Sequence, residues 1–247
     1  VKQNVIKRFL DDGLQENSDH HFTEGLDAYG EIGERQWLKL KSSLDPVLEY
    51  CQQYMQGKIT APMEVNLQFK SLGVQLMGWQ KEIYSDNLVK VVPSKLKAKS
   101  IISAVIEHAA LCAMGRRGTC LVICQDYLLT LKAMDKTQAK QYLQDLLHHF
   151  QQGQIMPLAM LPQTAWQLQN PLHVKEKNGE LIDKRLNEAQ KSFYGLSGPF
   201  GQPGEREDLN VRRCFNELDE IPQVTQDLAT TFYGPWLEYE LLTVTAL

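Results

Sequence analysis

The chain has 247 residues, 43% of them hydrophobic, and its formal net charge is -4. That length suffices for one domain with a sizeable core, or for one domain and an additional segment. The negative net charge excludes the strongly basic composition of proteins that bind nucleic acid over most of their surface.

The charge is distributed unevenly along the chain. Between residues 63 and 117, eight Lys or Arg stand against four acids, so this segment carries +4 and the remainder -8. Ordinary scatter of surface charge and a local binding face both explain such a distribution, and composition does not choose between them.

The cysteines are odd in number and lie mostly among apolar residues. They are Cys51, Cys112, Cys120, Cys124 and Cys214. This pattern predicts buried free thiols in a reducing compartment, not a set of disulfides. The sequence shows neither a signal peptide nor an apolar run long enough to span a membrane, so a cytoplasmic location is expected. Because the chain starts within a helical pattern, we expect it to be a piece of a longer protein.

The N-terminal quarter is predicted to be mainly helical. One helix covers Val1–Gln15, a polar loop follows over Glu16–Gly33, and a second helix covers Glu34–Met55. Pro46 is expected to kink the second helix. The predicted core face of that helix consists of Trp37, Leu38, Leu44, Val47, Leu48 and Cys51.

The middle of the chain is predicted to form an antiparallel meander beneath a long helix. A first strand covers Pro62–Lys70, with alternating apolar residues. A hairpin then joins Leu72–Tyr84 to Leu88–Val92 through the turn Ser85-Asp86-Asn87, and a helix covers Ala98–Met114.

Strands and helices also alternate in the C-terminal half. The predicted strands are Thr119–Cys124, buried on both faces, and Tyr127–Lys132. The predicted helices are Asp135–Gln152 with Phe150 in its buried face, Thr164–Leu168, Leu181–Tyr194, Val211–Phe215, and Pro222–Glu240 with a break near Gly234-Pro235. Gly195–Glu207 is predicted to be a long loop. The whole pattern predicts an α/β fold with a central mixed β-sheet flanked by helices.

The hairpin and helix suggest a comparison with metal-dependent nucleases. Such enzymes need an acid on the hairpin and an acid-x-Lys motif on the next strand, whose carboxylates hold Mg²⁺. Here Lys81 stands where the first acid is expected, and Ser94 stands where the second is expected. An ammonium repels a divalent ion and a lone hydroxyl binds it poorly. The hypothesis is a nuclease-like core without metal or catalysis; a hairpin and helix of unrelated origin explains the periodicity equally well.

Two other functional classes remain open. An active metal nuclease would have to draw its ligands from unusual positions, and Glu82 and Asp86 are the nearest carboxylates to the hairpin. A scaffold that only binds other proteins would need no contact with DNA.

Four short stretches in this region resemble a known family. They are Gly73-Val-Gln-Leu-Met-Gly-Trp79, Pro93-Ser94, Ile106-Glu107-His108 and Ala113-Met-Gly115. Their order and spacing resemble the C-terminal part of the RecC family, the gamma subunits of exodeoxyribonuclease V, the RecBCD complex. Further matching stretches are Tyr29-Gly30-Glu31 before Trp37, Leu161-Pro162 before Trp166, Lys191-Ser192-Phe193, and Gly204-Glu205. The sequence departs from the family mainly at Asn170–Asp183 and Arg116-Arg117.

The resemblance implies a fold and a role. It implies a restriction-endonuclease-like core of the PD-(D/E)xK nuclease type that lacks the catalytic acids, over residues 62–247. Residues 1–61 would then be a helical segment that links to helicase-like domains outside this sequence. The implied partners are the RecB and RecD subunits and DNA, both the duplex end and the single strands. The implied process is double-strand break repair by homologous recombination, through subunit assembly and the splitting and guiding of DNA strands.

The resemblance transfers no catalytic residue, no metal ligand and no cofactor to this chain, although the parent complex uses ATP and Mg²⁺. Recognition of the Chi sequence belongs to the helicase-like domains of the family and is not transferred either. Phosphate contacts and base stacking are the remaining ways to hold a passing strand. The candidate nucleic-acid-binding residues are Lys95, Lys97, Lys99, Arg116 and Arg117. Trp79 could stack on a base, although a Trp on a core hairpin is more often buried.

Overall fold

A computed structural model describes residues 31–55, 60–177, 179–196, 201–215 and 218–247. The predicted helix Val1–Gln15 and the loop that follows it, up to residue 30, lie outside the described residues. The helices are α1 (Glu31–Tyr54), α2 (Ala98–Ala113), α3 (Lys136–Ile155), α4 (Pro162–Gln169), α5 (Arg185–Tyr194), α6 (Leu209–Phe215) and α7 (Gln223–Glu238). The strands are β1 (Met63–Phe69), β2 (Val74–Gln80), β3 (Ile83–Tyr84), β4 (Asn87–Val91), β5 (Cys120–Ile123), β6 (Tyr127–Leu131), β7 (Val174–Lys177), β8 (Glu180–Asp183) and β9 (Leu242–Ala246).

A five-stranded sheet forms the centre, in the order β3-β4-β5-β6-β9. Strands β4 and β5 pair in parallel, and the other neighbours pair antiparallel. Parallel neighbours need a long crossover, which α2 provides here. The predicted α/β fold with a mixed central sheet flanked by helices is therefore confirmed.

Helices cover both faces of the sheet because its strands are apolar on both sides. In β4, Leu88 packs in the core beneath α2, whereas Val89 packs with α1. In β5, Val122 faces the first core and Leu121 the second. All four residues of β5 are buried, so the prediction of a strand buried on both faces is confirmed.

The predicted antiparallel meander is correct for its first two strands and for the turn before β4, but the long hairpin between β2 and β4 is wrong. Strand β2 pairs along its whole length with β1, from Met63 opposite Gln80 to Phe69 opposite Val74, in a two-stranded sheet of its own. The short strand β3 alone pairs with β4. Between β2 and β3, Glu82 has a φ of 62°, which breaks the extended conformation. Alternation predicts that a segment is a strand, but it does not identify the strand beside it.

The C-terminal part differs from the prediction at two places. Residues at the start of the predicted helix Leu181–Tyr194 form β8 instead, which pairs with β7, and α5 begins only at Arg185. The Asp183 carboxylate accepts a hydrogen bond from the Arg185 backbone N–H at 2.9 Å, which favours the helix start there. Strand β9, which sequence analysis missed, pairs with β6 at the edge of the central sheet.

Several smaller predictions are also corrected. Helix α7 continues through Pro235, so the predicted break near Gly234-Pro235 is wrong. Leu38 and Phe150, predicted to be buried, are exposed, as is Trp79. Of the cysteines, Cys214 is exposed and the other four are buried, and all five are free. In the described part of the chain, no helix combines the length and the apolar character needed to cross a membrane.

The segment after α5 is tied back to α4. The Glu205 carboxylate accepts hydrogen bonds from the backbone N–H groups of Gln163 (2.9 Å) and Thr164 (2.7 Å). These are two of the N–H groups that the first turn of a helix leaves without a partner. The close approach requires Gly204, because a Cβ there would lie 2.1 Å from the carbonyl oxygen of Phe193. A residue about forty positions along the chain therefore caps α4.

Candidate functional site

A half-buried group of polar side chains lies where the hairpin, the central sheet and α2 meet. We call it the Lys90 cluster, and it consists of Gln80, Lys90, Ser103 and Glu107. Gln80 ends β2, and Lys90 lies on the face of β4 that packs under α2, two residues after Leu88. Ser103 and Glu107 are four residues apart on α2, so they share one side of that helix.

Hydrogen bonds connect all four side chains. The Lys90 ammonium contacts Glu107 Oε1 and donates to Ser103 Oγ at 3.0 Å. Ser103 Oγ in turn donates to Glu107 Oε1 at 2.7 Å. Gln80 Nε2 donates to Glu107 Oε2 at 3.1 Å. Both oxygens of the Glu107 carboxylate are therefore occupied.

The cluster is arranged to hold a charged carboxylate in a poorly hydrated place. The Lys90 and Glu107 side chains are 18% and 32% exposed. Burial raises the pKa of Glu107, but hydrogen bonds from Lys90, Ser103 and Gln80, with the attraction of the Lys90 charge, lower it below its ordinary value. Glu107 is thus ionised at neutral pH, and its charge is matched by one ammonium.

The two predicted nuclease positions, Lys81 and Ser94, lie outside the Lys90 cluster. Lys81 follows Gln80 directly and is exposed. Ser94 lies beyond the end of β4, and its hydroxyl donates to the carbonyl of Lys95 at 3.3 Å. The assignment of Lys81 and Ser94 as degenerate nuclease positions stays a prediction.

Sequence analysis did not identify the pair formed by Lys90 and Glu107. Two signals were available: a lysine within an otherwise apolar strand, and a serine and a glutamate at helical spacing. Neither signal predicts that the strand and the helix pack against each other, because that contact depends on the tertiary fold.

Glu82 and Asp86, the nearest carboxylates that an active nuclease could use, both lie on the surface. Glu82 is exposed in its left-handed conformation, and Asp86 is exposed in the β3–β4 turn, 3.3 Å from the Arg116 guanidinium. Within the residues that the structure describes, no three His, Cys, Asp or Glu side chains are grouped so that they could hold a metal ion.

The five candidate nucleic-acid-binding residues fall into two groups at opposite ends of α2. Lys95, Lys97 and Lys99 flank its start, whereas Arg116 and Arg117 follow its end. A helix of 16 residues is about 24 Å long. All five side chains are exposed. One short phosphate stretch would therefore contact one group or the other, not both.

Trp79 lies on an exposed face of the β1–β2 hairpin. Its side chain is 65% exposed, and that of Met77 on the same face is 62% exposed. Trp79 lies opposite Glu64 on this face, and its exposed ring system is available to a planar ligand. Arg116 Nη2 lies 3.5 Å from the sulfur of Met63, at the same end of the hairpin. Met63 shares the inner face of the hairpin with Val65, so Arg116 and Trp79 lie at the same end of the hairpin but on opposite faces.

His108, the residue after Glu107, lies in a different environment. It is 2% exposed, and its Nε2 donates to the carbonyl of Lys132 at 3.1 Å. Its ring centroid is 5.7 Å from that of Trp236, and its Nδ1 has no hydrogen-bond partner. Burial lowers the pKa of His108 to about 4, although the bond to Lys132 opposes the shift. A neutral imidazole packed in the core fits these contacts.

Two comparisons with known proteins bear on the family. The family model described as "RecC C-terminal domain" matches residues 1–172. The chain is also similar to the RecBCD enzyme subunit RecC of Escherichia coli (strain K12), with 27% identity over 195 residues. That alignment covers 77% of this chain and 17% of the relative, so the chain spans about a sixth of the length of the curated relative it matches. The family model covers well over half of the sequence, and the chain belongs to the RecC C-terminal domain family.

Proposed function

We propose that this chain is the non-catalytic C-terminal domain of a RecC-type subunit in a RecBCD-type helicase-nuclease. In this role it contributes to double-strand break repair by homologous recombination, through subunit assembly and the splitting and guiding of DNA strands. The observation that carries the proposal is the Lys90 cluster, in which the single carboxylate is neutralised by a lysine of the same chain. Similarity to a RecC subunit supports the cellular role.

A restriction-endonuclease-like core is the proposed origin of the domain. In support, α2 crosses between the parallel strands β4 and β5, and the β1–β2 hairpin ends beside them at Gln80. Nuclease chemistry at such a site would need converging carboxylates for a divalent ion. Here an amide, an ammonium, a hydroxyl and one carboxylate converge instead. The domain therefore needs no cofactor of its own.

Contact with DNA is proposed for Trp79 together with Arg116 and Arg117. The exposed indole can stack on a base, and the exposed guanidinium groups of Arg116 and Arg117, just after α2, can pair with phosphates. Lys95, Lys97 and Lys99, at the other end of α2, would meet a different part of a strand. Base stacking and phosphate contacts do not depend on sequence, as expected of a domain that guides any strand.

Assembly with RecB and RecD is the other half of the proposal, and the expected location is the cytoplasm. Three large apolar side chains, Phe150, Ile155 and Met156, are exposed at the C-terminal end of α3. Such a patch supports a contact with another protein. It also favours the second candidate function, a scaffold that binds partner subunits and never touches DNA.

Single-stranded DNA binding by the 247-residue chain tests the proposal. We expect Trp79→Ala to weaken binding of a fluorescent oligonucleotide about tenfold at low salt, because stacking contributes about 1–3 kcal/mol per base. Arg116→Ala with Arg117→Ala should reduce the slope of log K against log salt by about 1.4, if each arginine meets one phosphate. Phe150→Ala, at an exposed aromatic elsewhere on the surface, is the matched control and should bind like the wild type.

Two results would contradict parts of the proposal. Absence of salt-dependent DNA binding by the wild type, combined with capture of RecB or RecD, would favour the scaffold. DNA cleavage with Mg²⁺ or Mn²⁺ that disappears in Glu82→Gln or Asp86→Asn would instead favour an active nuclease with ligands at unusual positions.

A further inference from the structure

The oxygen atoms of the Lys90 cluster converge on one positive charge. Glu107 Oε1 and Ser103 Oγ both contact the Lys90 ammonium, and Gln80 fixes the second carboxylate oxygen. The side chains come from three separate elements, β4, α2 and the end of β2, so the fold itself sets their geometry. Hard divalent cations are bound by the same kinds of ligand, usually one or two carboxylates with additional oxygen atoms and water.

The structure assigns to Lys90 the role of a built-in cation. Its ammonium occupies a latent divalent-cation site in the Lys90 cluster and prevents metal ions from binding to Glu107. This inference rests on the proposed non-catalytic function, and it identifies Lys90 as the residue that prevents metal binding. The Lys90 stem enters from β4 and is only 18% exposed, so the ammonium is held in place by the strand. Because it is part of the chain, chelators cannot remove it.

The thiol of Cys120, on the neighbouring strand β5, is fully buried. Burial raises its pKa well above the ordinary value, so this thiol stays neutral and adds no charge to the cluster. Replacing the lysine by a shorter acid would therefore place a second carboxylate opposite Glu107. It would also vacate the space that the ammonium and its last methylene groups now fill. Two carboxylates and a hydroxyl, completed by water, are ligands that suit Mg²⁺ or Mn²⁺, while the Gln80 amide N–H continues to orient the second oxygen of Glu107.

Manganese binding to three variants of the 247-residue chain tests the assignment. Free Mn²⁺ is measured by electron paramagnetic resonance during titration of the wild type, Lys90→Asp, and the control Lys95→Asp. The control makes the same change of charge at an exposed position. We expect Lys90→Asp to gain one saturable site with a Kd at least tenfold lower than that of any site in the wild type or in Lys95→Asp. Adding Glu107→Gln to Lys90→Asp should abolish the gain.

The assignment is overturned if folded Lys90→Asp binds Mn²⁺ no better than Lys95→Asp, or if the gain persists with Glu107→Gln. If Lys90→Asp is unfolded without metal, recovery of its circular dichroism spectrum with Mn²⁺ supports the assignment. If Mn²⁺ does not recover it, Lys90→Ala provides the test. Propylammonium should raise the melting temperature of Lys90→Ala more than that of Lys95→Ala, and equal shifts overturn the assignment. Wild-type DNA binding is a separate measurement, so failure here leaves the proposed function standing.

Discussion

Glu107 and His108 are adjacent in sequence, yet the fold places their ionisable groups in opposite environments, and the two groups differ in charge. Glu107 points to the hairpin side of α2, keeps its charge and receives three donors. His108 points to the other side, against Lys132 and Trp236, where burial keeps it neutral and leaves Nδ1 without a partner. A charge survives at half burial because it is paired, whereas full burial without an opposite charge selects the neutral form.

The largest expected effect is acid destabilisation through His108. Its pKa is about 4 in the folded chain, below the ordinary 6.5, so the unfolded chain takes up a proton first as the pH falls. The contribution of His108 to stability is present above pH 6.5 and is lost as the pH falls towards 4. The loss amounts to about 3 kcal/mol. Urea unfolding at pH 7 and pH 4.5 measures most of this loss.

The control for that experiment is a histidine on the surface. His108→Phe should lower the difference in unfolding free energy between the two pH values, whereas His148→Phe, at an exposed position, should not change it. An unchanged pH dependence in a folded His108→Phe chain would show that other groups cause the acid destabilisation.

The second-largest effect is expected from breaking the ion pair of Lys90 and Glu107 on the other side of α2. Lys90→Met leaves a charged, partly desolvated Glu107, and we expect a loss of about 2 kcal/mol, less than for a fully buried pair because Glu107 is 32% exposed. The loss should shrink at low pH, where protonation neutralises the orphaned carboxylate. Adding Glu107→Gln to Lys90→Met should restore part of the stability. Thermal unfolding that is equally impaired in the single and the double variant contradicts the pairing.

The smallest effect concerns the hydroxyl that links the two charges. Ser103→Ala removes an acceptor for Lys90 and a donor to Glu107. We expect a loss of about 1 kcal/mol in unfolding free energy and a higher pKa of Glu107, measurable by NMR titration of its carboxyl carbon. Ser100→Ala, at a half-buried serine on the same helix, should leave that pKa unchanged.

The sequence predicted the periodic elements well and their partners poorly. Strand β5 and helix α2 were identified because each keeps one hydrophobic pattern throughout. The antiparallel β1–β2 pair was predicted, but the long hairpin between β2 and β4 was wrong, because alternation is the same whichever strand lies beside it. The residue type at Glu82 does not predict the left-handed conformation that separates β2 from β3. Strand β9 was missed because its short segment follows a helix with no turn glycine or proline to mark the change.

The candidate site was predictable only in outline. Sequence reasoning placed an ammonium near the end of the hairpin, at Lys81, and five basic residues in the surrounding segment. It could not place Lys90 against Glu107, because that contact joins positions 17 residues apart through the packing of α2 on the sheet. Nor could it foresee the exposure of Trp79, because the hairpin buries the opposite face, with Val65 and Leu67.

The cap that Glu205 places on α4 has a consequence for where this unit can be divided. The family match ends at residue 172, yet two first-turn N–H groups of α4 are satisfied only from a point beyond that limit, and β9 completes the edge next to β6. Shortening the polypeptide at 172 would leave both amide groups and a sheet edge without partners. The segment that the family model matches is thus smaller than the unit that folds, and a chain shortened at residue 172 should be less stable than the 247-residue chain.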